Sequence, residues 1–106
     1  MHITLTPQFR DDQLTLHRAG DVLTVNGVAY DFGPLPDGAT LPRGAMDCEW
    51  LEGDVTRISG VLHLTLILPH GGNAPVETRF PAPLDLTRDG PVELPLYDAP
   101  IDEAPE

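Results

Sequence analysis

The segment Val61-Leu62-His63-Leu64-Thr65-Leu66-Ile67-Leu68 decides how the chain folds. Leu62, Leu64, Leu66 and Leu68 recur at every second position, with His63 and Thr65 between them. Side chains along a strand alternate between faces, so this period of two predicts a strand with one buried and one polar face. A helix would repeat every 3.6 residues, and the Gly- and Pro-rich flanks leave too little length for one.

Working outward, the preceding Asp54-Val55-Thr56-Arg57-Ile58 meets this strand through Ser59-Gly60, which predicts a hairpin. A clearer hairpin lies at Asp21–Phe32. Asn26-Gly27 tolerates the positive φ angles of a type I′ turn, so Val25 should face Val28 and Leu23 should face Tyr30. Leu14-Thr15-Leu16-His17, leading through Arg18-Ala19-Gly20 to Val22, predicts a further hairpin. Leu84-Asp85-Leu86-Thr87 is expected to turn at Asp89-Gly90 and pair with Pro91-Val92-Glu93-Leu94, Pro91 marking an edge. Residues 33–42 and 69–83 are punctuated by proline and read as loops, with a short strand expected at Thr78-Arg79-Phe80. No window has a helical period. About eight to ten short strands at this spacing predict one all-β domain over residues 1–97, a small antiparallel β-sandwich or partly closed barrel built from hairpins. Residues 98–106, with four acids, two prolines and no base, are expected to form a flexible acidic tail.

Composition narrows the function. The 106 residues include 17 acids and 6 bases, all arginine, for a net charge of −11; with the four tail acids set aside, residues 1–97 carry −7. That balance opposes binding to nucleic acid through phosphate contacts, and no apolar run approaches the ~18 residues of a membrane-spanning helix. The single cysteine excludes an internal disulfide. With no basic, apolar leader at the N-terminus, cytoplasmic synthesis is the expectation, with incorporation into a larger particle left open.

Several residues invite a chemical reading. His70-Gly71-Gly72-Asn73 is like the His-Gly-Gly loops that supply oxyanion-hole amides in some esterases, but Ser59, the one serine, lacks a nucleophile elbow. Cys48 sits between Asp47 and Glu49, which oppose thiolate formation, and alternation groups it with Met46 and Trp50 as core. His2, His17, His63 and His70 show no metal-ligand spacing, and the acid pairs Asp11-Asp12, Asp47/Glu49 and Glu52/Asp54 match no calcium loop. No catalytic residue, metal or cofactor is expected. Trp50, His63, His70 and Asn73, on the polar face of 61–68 and around loop 69–77, form the candidate interaction surface.

Four stretches carry a resemblance: Met1-His2-Ile3-Thr4-Leu5-Thr6-Pro7, Gly20–Gly27, Phe32–Pro42 and Leu64–Gly71. Across most of residues 1–97 the chain resembles small uncharacterised proteins of tailed phages and prophages, encoded near tail and tail-fibre genes. The resemblance brings no catalytic residue. It implies a non-enzymatic protein acting through protein–protein contacts, a minor tail component or tail assembly factor, with a tail or tail-fibre protein as partner and self-association left open. The alternative is a small-ligand or carbohydrate-binding β-module using loops 33–42 and 69–77. A third reading takes the negative charge as DNA mimicry directed at a basic protein groove.

Overall fold

A computed structural model describes residues 1–98. The expected tail, from residue 99 onward, lies outside the described residues. The described residues form two sheets that are not closed into a barrel. One contains β5 (Thr40–Leu41), β6 (Val55–Ile58), β7 (Val61–His70), β1 (His2–Phe9) and β8 (Leu84–Asp85), in that spatial order. The other runs β4 (Val28–Asp31), β3 (Val22–Val25), β2 (Leu16–Ala19), β9 (Gly90–Pro91).

The hairpins around β3 and β7 form as their turn residues require. Val25 faces Val28 and Leu23 faces Tyr30 across Asn26 (φ 49°) and Gly27 (φ 85°). Ser59 (φ 50°) and Gly60 (φ 80°) close the same turn type between Ile58 and Val61. The β2–β3 hairpin is tighter than expected: Ala19 pairs with Val22, so Arg18 and Ala19 belong to the strand and Gly20-Asp21 alone make the turn.

Leu62, Leu64, Leu66 and Leu68 are all buried, as their spacing predicts. They join Ile3 and Leu5 of β1, Leu16 of β2, Leu23 and Val25 of β3, and Val55 of β6 in one core between the sheets. Cys48 and Trp50 enter the same core, although 46–50 is a turn segment and not a strand. The other face of β7 is polar at His63 and Thr65 but buried at Ile67 and Pro69, toward the end where the one-turn helix α1 (Val76–Arg79) meets it.

Three details depart from the expected hairpin pattern, two because strands far apart in the chain pair with each other and one because a proline opens a helical turn. The central pair of the larger sheet, β1 with β7, is parallel, so this sheet is not a chain of hairpins alone. Leu84-Asp85 and Gly90-Pro91 do not pair with each other: the first pairs with His2 and Ile3, the second with His17 and Arg18 in the opposite sheet. Asp89-Gly90 therefore carries the chain between sheets. Its Asp89 carboxylate accepts from the Gly20 amide at 2.8 Å. Thr78-Arg79-Phe80 lies in and after α1, where Pro75 opens the helix with a φ of −68° and lacks the amide a strand would need.

Arg57 ties the sheets together. Its side chain is 11% exposed. It donates to the carbonyls of Leu35 (2.7 Å), Phe32 (2.9 Å) and Gly60 (3.3 Å), and pairs with the Asp21 carboxylate at 3.3 Å. A planar fork with five donors can satisfy several carbonyls at once.

Candidate interaction surface

The core-facing side of the β1–β7 pair is a ladder of apolar rungs: Ile3 with Leu64, Leu5 with Leu66, Pro7 with Leu68. The next rung, Phe9 with His70, continues the same side. Phe9 is nevertheless 65% exposed and meets the His70 ring edge-on at 6.0 Å. The ladder thus runs past the cover supplied by the second sheet.

Large apolar side chains are also exposed on and beside α1, which packs on β1 and β7. Val76 and Phe80 flank α1 and are exposed, Phe80 by 78%. Leu96 is also exposed, and its carbonyl accepts a 2.6 Å hydrogen bond from the hydroxyl of Thr78, which is wholly buried. The segment carrying Leu96 is tied down by the Gly71 amide donating to the Tyr97 carbonyl (2.9 Å) and by the Tyr97 hydroxyl donating to the Arg10 carbonyl. Burial, then the nearby Asp11, Asp98 and Asp12, raise the Tyr97 phenol above its usual range. Beside this segment an open cleft of about 390 Å³ is lined by Leu14, Leu16, Leu68, Pro69, Leu94 and Tyr97 among others.

The four residues expected on one docking surface separate. His70 and Asn73 lie at this end; His70 Nδ1 is 2.9 Å from the Gly71 carbonyl, and the Asn73 amide donates to Asp98 at 3.0 Å. Trp50 belongs to the core, 6% exposed, with the Arg10 guanidinium 4.3 Å over its ring. An aromatic ring gains more from burial and a cation over its face than from exposure. Arg10 is itself held by Asp12 (2.9 and 2.8 Å) and Glu49 (3.2 Å), and its hydrogen bonds hold the Asp12 carboxyl below the usual range. His63 sits near the opposite end of β7, seven residues from His70 and so about 23 Å away along a strand.

The same separation bears on the ligand-binding alternative. Asp37 accepts from the Gly60 amide, and Gly38 donates to the Arg57 carbonyl, so loop 33–42 lies at the β6–β7 turn. Loop 69–77 begins where β7 ends, so nearly the whole strand stands between the two loops. Ser59, in the β6–β7 turn, and His70, at the far end of β7, are divided in the same way.

Sequence spacing missed one grouping. The β1–β7 register sets His2 beside His63 on the polar face, with Thr56 beyond His63 and Asp85 beyond His2. Only the pairing of distant strands reveals it. Comparison with family models, with curated proteins and with solved structures returned no match.

Proposed function

We propose that this is a non-enzymatic protein of a tailed phage or prophage that works through protein–protein contact, as a minor tail component or tail assembly factor. The observation that carries the contact role is the exposure of Phe9 on the last rung of the β1–β7 pair and of Val76, Phe80 and Leu96 on and beside α1. Large apolar side chains left exposed on a surface that backbone hydrogen bonds hold in place are the ordinary means of association. The phage setting rests on the sequence resemblance. The partner is a tail or tail-fibre protein that presents an apolar face to these side chains.

The test is a pull-down with the full chain from host cells in which the phage is induced, compared with a Phe9→Ser/Phe80→Ser double variant. The expected result is a tail protein held by the native chain and released by the variant. Equal capture by both, or capture of no phage protein, overturns the reading.

A further inference from the structure

We infer that His2 and His63 form a binding site for an imidazole-seeking divalent transition metal, Zn²⁺ being the best fit, with Asp85 as the residue that orients His2. This goes beyond the contact role proposed above and involves the other end of β7.

His2 and His63 are direct partners on adjacent parallel strands, so both rings stand on the polar face of the larger sheet. The start of β1 is fixed to the segment after β8: the Leu86 amide donates to the Met1 carbonyl at 2.8 Å. His2 is therefore held on both sides, by β7 and by β8.

Next comes the tautomer. His2 Nδ1 lies 2.7 Å from Asp85 Oδ1. A carboxylate accepts only, so Nδ1 carries a proton, and in the neutral ring it is the Nε2 lone pair that is open to a ligand. A carboxylate on the far nitrogen of a ligating histidine recurs in metal sites, where it orients the ring and raises its basicity. The His63 ring makes no hydrogen bond among the described residues, so its nitrogens need not give up a partner.

The spacing then fits. The two ring centroids are 5.2 Å apart, with planes tilted by 41°. With a metal–nitrogen bond of about 2.0–2.1 Å, a bound ion sits about 3.2 Å from each centroid, and a tetrahedral angle at the metal sets the centroids about 5.2 Å apart. Among the described residues no three His, Cys, Asp or Glu side chains converge as a metal site. The proposed site thus has two protein ligands, the rest of the coordination sphere being water. The His2 side chain is 31% exposed and that of Asp85 74%, so the ion has open access.

The test is titration of tag-free protein with Zn²⁺ against a chromophoric chelator near neutral pH. Electron paramagnetic resonance with Cu²⁺ as a probe provides a readout of ligand number. The expected result is one saturable Zn²⁺, weakened at least tenfold by His2→Ala and by His63→Ala, about tenfold by Asp85→Asn, and unchanged by His17→Ala. The Cu²⁺ spectrum should show two coupled nitrogens in the native protein and one in the His63→Gln variant. Absence of saturable binding, or binding and nitrogen coupling that persist undiminished in His63→Ala, overturns the proposal.

Discussion

The Arg57 guanidinium reaches from the larger sheet to the backbone carbonyl of Phe32 at the end of β4, with Nη2 at 2.9 Å. This side chain spans the layers by polar contacts at the edge of the apolar core. Replacing it tests that role. Arg57→Lys keeps the charge but cannot serve the Leu35 and Phe32 carbonyls from one planar group. The expected loss is about 2 kcal/mol or more, since partly buried acceptors lose their partner. In urea unfolding the midpoint should fall while the slope is unchanged.

Thr78 gives a second prediction. Its hydroxyl is buried and bonded to the Leu96 carbonyl, anchoring the segment that lines the cleft. Thr78→Val preserves shape and removes the donor, with an expected cost of about 1–3 kcal/mol. The measurement is thermal unfolding, where each kcal/mol lowers Tm by roughly 4–8 °C at this size. Thr78→Ser should recover most of the loss.

Tyr30 provides a pH prediction. Burial, then the neighbouring Cys48, Asp47 and Glu49, push its phenol up to about 12 from an ordinary 10.0. A folded-state value above the unfolded one means that folding favours the protonated phenol. Its contribution to stability is present below pH 10 and is lost as pH rises toward 12. Tyrosinate absorbance should therefore develop later in the native protein than in urea, and Tyr30→Phe should leave a single late transition from Tyr97. A Tyr30 transition at the ordinary value would refute the assignment.

Gly71 is a position where a side chain cannot fit without movement. A Cβ there would run into the carboxylate of Asp98, which accepts the Asn73 amide. Gly71→Ala should displace that carboxylate and speed hydrogen exchange at Asn73. The two changes are coupled: in an Asp98→Ala background, Gly71→Ala should cost less than it does alone.

The parts of the fold legible in the sequence were those decided by neighbours. Asn26-Gly27 and Ser59-Gly60 state their own turn geometry, and the leucines of β7 state their own face. What the sequence left open depends on partners far along the chain. Leu84-Asp85 looks like half of a hairpin, but Met1 to Ile3 offer it a better edge. The parallel register of β1 on β7 has no local signal at all, and the His2–His63 pair exists only through that register. Phe9 falls on the same side as Ile3 and Leu5, yet it is exposed. Its exposure follows from where the opposite sheet stops, which no single segment encodes.

The pairing of β1 with β7 also has a temporal consequence. Each of its rungs joins residues about 60 positions apart, and closing so long a loop costs entropy before any contact repays it. The local hairpins of β2–β3–β4 and β6–β7 can form first, in microseconds, whereas β1 must wait for both to be in place. During synthesis β1 is made well before its partner, and Ile3 and Leu5 stay unpaired until β7 exists. Refolding should be slow for a chain of this size, with the rate set by substitutions in β1 and β7 and little affected by those in the Asn26-Gly27 hairpin.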